Sequence, residues 1–293
     1  MDEPSSEYGI LVGIDGSPES HAALRWAAQE ARLRHSPVTL MHVVAPMVVT
    51  WPIESLEFSY ADWQEDNARQ VIESAQDIVR TALGDSPPPG VRVLLRHDGI
   101  VSQLTEASAK ATMVAVGSRG LGPVGGAVLG SVSRNLLHHA RCPVAVVKAD
   151  AVRASGRVLP VLLGIDGSPA SEGATAFAFD EASRRGVPLV ALHAWSDVGV
   201  FPILGMDWHK YEQQGHEILA ERLAGWQEQY PDVAVKRRIV CDRPARWLID
   251  ESRNAQLVVV GSRGRGGLTG MLLGSVSTAV AESSSPPAVV VRS

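Results

Sequence analysis

The chain has 293 residues, 45% of them hydrophobic, with 27 Lys and Arg against 32 Asp and Glu, a net charge of −5 and a pI near 6.0. That length accommodates two domains of ordinary size, each with its own core. The acidic balance argues against a general affinity for nucleic acid or anionic membranes, which needs a clustered basic surface. No run of about 18 apolar residues is present, so no helical membrane span is expected. Met1–Tyr8 lacks the features of a signal peptide, and a cytoplasmic location is the expectation. Cys142 and Cys241 make no CxxC or metal pattern and read as small, mostly buried thiols.

Along the chain, Ile10 to Ile14 is an apolar run closed by Asp15-Gly16 and predicts a first strand. Ser17-Pro18 then offers an N-cap and a proline at the first helical position, predicting a helix to about His35. Val38–Val44 predicts the second strand. A variable segment with Trp51, Phe58, Tyr60 and Trp63 leads into a long helix from about Ala61 to Leu83, which Ser86-Pro87-Pro88-Pro89-Gly90 breaks. Strand three (Val91–Arg96), a helix over Ile100–Lys110, strand four (Met113–Val116), a glycine loop from Gly117 to Gly130, a helix from about Ser131 and strand five (Val144–Lys148, opened by Pro143) complete the first half. Ala149–Arg157 reads as a linker. The second half predicts strands at 159–165, 187–194, 233–240, 257–260 and 287–292, with helices at 169–185, about 208–229, 244–254 and 275–284.

Short, continuously apolar strands separated by helices imply parallel sheets covered on both faces. Right-handed crossovers then give the α/β fold class: two tandem, open, parallel five-stranded sheets of strand order 3-2-1-4-5 with helices on both faces, one in domain 1–150 and one in domain 156–293. In that order the winding reverses between strands one and four, and the ligand crevice lies outside their carboxyl ends.

Four blocks recur in the same order. Gly13-Ile14-Asp15-Gly16-Ser17-Pro18 returns as Gly164-Ile165-Asp166-Gly167-Ser168-Pro169, and Leu40-Met41-His42-Val43 more loosely as Ala191-Leu192-His193-Ala194. Val116-Gly117-Ser118-Arg119-Gly120 returns as Val260-Gly261-Ser262-Arg263-Gly264, and Gly130-Ser131-Val132-Ser133 as Gly274-Ser275-Val276-Ser277. The offset is 151 for the first two blocks and 144 for the last two, so one domain occurs twice, seven residues shorter in its second copy. The aspartate ends strand one and the first loop glycine follows strand four, so the repeated blocks converge on the predicted crevice.

The loop has the chemistry of an anion cradle. Glycines let backbone N–H groups approach an anion, and Gly130-Ser131 and Gly274-Ser275 each open a helix whose free N–H groups and positive dipole end favour phosphate. Ser131 and Ser133 add hydroxyls. The loop is not a Walker A motif, since no GKS or GKT follows, nor a dinucleotide fingerprint, since no GxGxxG follows strand one.

The spacing G-x2-G-x9-G-S, together with Gly13-Ile14-Asp15-Gly16-Ser17, His42-Val43 and Cys142-Pro143-Val144, resembles the nucleotide-binding branch of the universal stress protein family, and its tandem-domain members in particular. The resemblance covers nearly the whole chain and implies a Rossmann-like fold of HUP type. The second half departs only at Pro286-Pro287-Ala288, without the cysteine, which touches no ligand contact. The resemblance implies ATP, with or without magnesium, as ligand, one site per domain. By it, Asp15 and Asp166 lie near ribose and phosphate, and the backbone at Val43 and Ala194 lies against adenine. Gly117, Gly120, Gly130 and Ser131, with Gly261, Gly264, Gly274 and Ser275, hold the phosphates. The candidate set also takes in Gly13, Ser118, Arg119, Val132 and Ser133, and in the second half Gly164, Ser262, Arg263, Val276 and Ser277. No catalytic or metal-ligating residue is assigned.

Blander readings stand beside these. Asp15 and Asp166 suit Asp-Gly turns or helix caps, but Ser17 and Ser168 already offer the caps, which favours ligand contact. Arg119 and Arg263 are either solvated loop charges or phosphate ligands. His42 and His193 read as structural, since neither half supplies a nucleophile at a recognisable spacing. Trp51 and Trp195 could border adenine, though packing suits them better. The function expected is therefore an ATP-binding protein of stress response and growth regulation, its nucleotide acting as ligand or switch. A slow ATPase and a scaffold with vestigial pockets are the alternatives; a nucleotidyl transferase is weakened by the lack of HIGH and SGG-x-D-S motifs. The apolar fifth strands, Val144–Val147 and Ala288–Val291, would lie at sheet edges, and their pairing within one chain is expected. Whole chains are expected to form a homodimer.

Overall fold

Valine, leucine and isoleucine runs become strands, and the intervening stretches become helices. The computed structural model describes residues 6–45, 54–84, 90–121, 129–151, 158–168, 171–194, 208–264 and 272–292. Contacts group the chain into two units, Met1–Val152 and Arg153–Ser293.

The first unit runs β1 (Ile10–Gly13), α1 (Pro18–Arg34), β2 (Val38–Val44), α2 (Glu54–Leu83), β3 (Val91–His97), α3 (Ile100–Ser108), β4 (Met113–Gly117), α4 (Ser131–His139) and β5 (Val144–Val147). Its strands lie parallel in the order β3-β2-β1-β4-β5. Val12 is registered with Leu40 on one side and Ala115 on the other. The second unit runs β6 (Val161–Gly164), α5 (Glu172–Arg185), β7 (Leu189–Ala194), α6 (Trp208–Gln229), β8 (Val235–Val240), α7 (Pro244–Ser252), β9 (Leu257–Gly261), α8 (Ser275–Ser283) and β10 (Ala288–Val291). Its order, β8-β7-β6-β9-β10, is the same winding, again parallel throughout.

Central strands are apolar on both faces because helices cover both: Ile10, Leu11 and Val12 are fully buried, as are Val161, Leu163 and Leu257. The outer strands β3 and β8 instead carry Arg92 and Arg96, and Lys236, Arg237 and Arg238, charges that discourage further strand pairing. Helix α1 starts as its sequence dictates, with the Ser20 N–H donating to Ser17 Oγ at 3.1 Å and Pro18 in the first turn. It ends at His35, in the left-handed region at φ 49°, where its repeat counterpart is Gly186 at φ 61°.

Three expectations need correction. Helix α2 begins at Glu54, not near Ala61; no proline or glycine lies between the two positions to stop it. Ser168 does not cap α5, whose N-cap is Ser171. The Ser168 hydroxyl donates instead to Asp166 Oδ1 at 2.7 Å, and the Ser168 carbonyl accepts from the Ser171 N–H at 3.0 Å. Cys142 is buried as expected, whereas Cys241, just past β8, is only half-buried. Trp51, Pro87–Pro89, Pro169 and Trp195 lie outside the described residues. No described helix is long and apolar enough to cross a membrane.

Candidate functional site

The site is built around the carboxyl ends of the central strands. Just past β1, Asp15 Oδ1 accepts from the Ser17 N–H at 2.9 Å and the Ser17 hydroxyl at 2.6 Å. The intervening Gly16 sits at φ 83°, a conformation that a side chain would strain, and Gly167 at φ 76° repeats it. Asp15 Oδ2 reaches across to the glycine loop and accepts from the Leu121 N–H at 3.2 Å, 106 residues further on. Asp166 makes the same turn, accepting from the Ser168 N–H at 2.9 Å and its hydroxyl at 2.7 Å. Asp15 is therefore both the turn residue and an anchor for its loop. A Cβ on Gly120 would lie 2.5 Å from Asp15 Oδ2, and one on Gly264 would lie 2.6 Å from Asp166 Oδ2. These glycines are what allow the carboxylate so close to the loop backbone.

Gly117 is glycine for another reason. A Cβ there would lie 2.8 Å from Glu19 Cβ and 2.9 Å from the Ser20 N, so the bare backbone makes room for the first turn of α1. The loop closes on itself where Gly130 N–H donates to the Ser118 carbonyl and Gly274 N–H to the Ser262 carbonyl, each at 2.8 Å. Ser133 and Ser277 donate their hydroxyls to the carbonyls of Gly117 and Gly261, each at 2.6 Å. Those two hydroxyls hold the loop and have no second proton to give an anion. The N–H groups remain. Gly130 and Gly274 cap α4 and α8 without any side-chain hydrogen bond, unlike Ser17 on α1. The first-turn N–H groups of both helices thus meet the crevice with no capping side chain.

His42 and His193 serve the frame. Their Nδ1 atoms lie 2.8 Å from the carbonyls of Ile14 and Ile165, and because a carbonyl only accepts, Nδ1 carries the proton. Arg119 differs from a solvated loop charge: its Nε and Nη2 donate to Glu19 Oε1 at 3.2 and 2.8 Å. Its own side chain is 59% exposed, whereas that of Glu19 is 11% exposed. Burial lowers the Lys148 pKa; Asp150 opposes the shift and Arg119 adds to it. Burial likewise lowers the Arg292 pKa, and the nearby charge of Arg263 adds to it.

These parts line one cavity in each unit, of about 510 Å³ in the first and about 560 Å³ in the second. Every candidate residue from the sequence lines its cavity except Ser118 and Ser262, which are buried behind the loop. Sequence reasoning missed the wall made by the N-terminal halves of α3 and α7. Leu104 and Leu248 lie there, packed against Gly13 and Gly164. They are 144 apart, the offset of the glycine loops, and that match was the available signal. Glu19, Arg243 and Arg246 also line the cavities. They carry no repeat signal because each occurs in one half only. Trp26 is core, and Trp226 stacks near Phe179, 6.2 Å between ring centroids. Among the described residues, no group of three His, Cys, Asp or Glu side chains could hold a metal ion.

A model of the universal stress protein family matches residues 9–148 and again 159–292. The chain belongs to the universal stress protein family. A universal stress protein of Mycolicibacterium smegmatis is 56% identical over 292 residues, covering 100% of this chain and 99% of its own. One from Mycobacterium tuberculosis strain H37Rv is 51% identical over 293 residues, with the same coverage of 100% and 99%. The crystal structure of a universal stress protein from Archaeoglobus fulgidus DSM 4304 covers 97% of this chain and 98% of its own, with a TM-score of 0.72 at 22% identity, a likeness of fold. In this universal stress protein the two family matches each contain one complete loop, aspartate and cavity.

Proposed function

We propose that each unit of this universal stress protein binds one adenine nucleotide, ATP, and that the nucleotide acts as a ligand or switch in stress response and growth regulation. One observation carries the reading: in both units a helix start without a capping side chain opens into a cavity of about 500 Å³ at the switch point of a parallel sheet. That volume lies inside the usual range of roughly 300–1,000 Å³ for small-molecule sites.

The donor set suits a nucleotide. Backbone N–H groups of Ser131, Val132 and Ser133, and of Ser275, Val276 and Ser277, would hold phosphate oxygens with the helix dipole behind them. Asp15 has three of its roughly four acceptor positions filled by Ser17 and Leu121, which leaves one for a ribose hydroxyl. Apolar Val43 and Ala194, at the ends of β2 and β7, would lie against the base. A ligand role fits better than rapid turnover, because Asp15 and His42 are both committed to holding the chain.

Acid extraction of protein purified without added nucleotide, paired with calorimetric titration of ATP, tests the reading. Adenine nucleotide approaching two per chain is expected. Protein that emerges empty and gives no heat with ATP overturns it.

A further inference from the structure

The two cavities share their glycine loops and differ in charge. The first is lined by Asp15, Glu19 and Arg119, the second by Asp166, Arg243, Arg246 and Arg263. Three sequence differences produce this. Ala170 stands where the repeat has Glu19, while Arg243 and Arg246 stand where it has Gly99 and Ser102. We infer that the two sites of one chain are tuned to different ligand charge: the second selects the polyphosphate, while the first binds nucleotides with little regard to phosphate number.

This rests on the nucleotide reading above and adds selectivity to it. In the first unit the loop guanidinium is held by Glu19 through two donors, at 3.2 and 2.8 Å. To reach a phosphate, Arg119 must leave that carboxylate unpaired beside the incoming negative charge. Each added phosphate therefore gains little there. In the second unit, cations stand on two walls of one cavity, Arg263 on the loop, with Arg243 at the N-cap and Arg246 in the first turn of α7. Arg243 approaches Asp242 only to 3.8 Å and Arg246 approaches Asp250 only to 3.9 Å, on arginines 64% and 71% exposed. Such pairs are weak and exchange readily for a phosphate. Asp242 and Arg243 also sit at φ 51° and 48°, a strained backbone for two residues with side chains, and Arg243 lines the cavity. Cations gathered in a cleft raise its affinity with each negative charge on the ligand.

The test is photolabelling of the full chain with 8-azido-ATP and, in parallel, 8-azido-AMP, with labelled peptides assigned to either unit by mass spectrometry. In the second unit the ATP probe should half-saturate at a concentration at least about tenfold below the AMP probe, the effect of about one charge-assisted hydrogen bond. In the first unit the two should agree within about threefold, on the same scale. Arg243→Ala with Arg246→Ala should erase the second unit's preference while both probes still label that unit, which reports that it is folded, and the first unit's labelling should be unchanged. Glu19→Gln, nearly isosteric, should create a preference for the ATP probe in the first unit. Equal preference in both wild-type units, or a stronger one in the first, overturns the inference and leaves nucleotide binding standing. No labelling in either unit, with no calorimetric heat, overturns the nucleotide reading itself.

Discussion

Gly264 and Gly117 are both loop glycines, yet their missing side chains serve different neighbours, and substitutions should separate them. Gly264→Ala places a methyl group 2.6 Å from Asp166 Oδ2, which forces the loop backbone and the carboxylate apart. Nucleotide affinity in the second unit should fall about tenfold, on the scale of one well-placed hydrogen bond, while the melting curve barely moves. Unchanged calorimetric affinity would mean that the close approach of carboxylate and loop does not shape the site. Gly117→Ala strikes the Glu19 and Ser20 backbone region of α1, at 2.8 and 2.9 Å. Urea unfolding should find it destabilised by about 1–3 kcal/mol, the usual cost of overpacking. Cys142 gives a pH signature. Burial pushes its thiol from 9.0 up to about 12, so the folded chain keeps a proton that the unfolded chain releases. Stability from this group is full below about pH 9 and declines toward pH 12, with a slope approaching about 1.4 kcal/mol per pH unit. Urea midpoints of wild type and Cys142→Ala, compared from pH 8 to 10.5 (on the order of the titration range), should converge as the pH rises; parallel curves would refute it. At this scale the residues that line the cavities were legible in the sequence, because duplication singles out Asp15, Gly120 and Gly130. Their tasks were not. That Ser133 gives its hydroxyl to the Gly117 carbonyl follows only once the loop folds back on β4.

Secondary structure was legible wherever apolar periodicity and punctuation agreed. The strand assignments fell on β1 through β10, and Ser17-Pro18 marked the start of α1. Where punctuation was missing or duplicated, boundaries moved. Aromatic residues alone did not stop α2 from reaching back to Glu54, and a second serine three residues on displaced the start of α5 from Ser168 to Ser171. The most functional element boundary is the start of α8. Gly274 has φ −78° and ψ 153°, which any residue adopts, and an added Cβ would meet its neighbours no closer than 3.5 Å. A capping side chain fits there, and the chain has glycine instead. Gly274→Asp should therefore cap α8 and stabilise the second unit slightly, by about 0.3 kcal/mol, since glycine is itself a tolerable N-cap. The same carboxylate would occupy the anion position and repel phosphate, so ATP binding in that unit should be lost. Thermal melting and calorimetry on one sample check both halves of this trade. A stabilised variant that still binds ATP as wild type does would mean that the N–H groups of α8 face no phosphate.

At the scale of the whole chain, the duplication made the architecture readable before any coordinates. Two copies of the same turn blocks at the ends of strands one and four require the same winding twice, and both units have it. What duplication hides is divergence, because residues present in only one half, such as Glu19 and Arg243, fall out of a search for repeats. Both cradles should nonetheless be filled by ATP at saturation, and mutation should separate them. Hydrogen exchange can read this. Saturating ATP should slow exchange at the start of α4 and at the start of α8 together, since a ligand stabilises the state it binds by about 2.7 kcal/mol at one hundred times its Kd. In Gly274→Asp, protection at Ser275–Ser277 should disappear while that at Ser131–Ser133 persists. Protection confined to one helix start in the wild-type chain would mean that only one of the duplicated cradles accepts nucleotide, and loss of both in the single variant would mean that the two sites act as one.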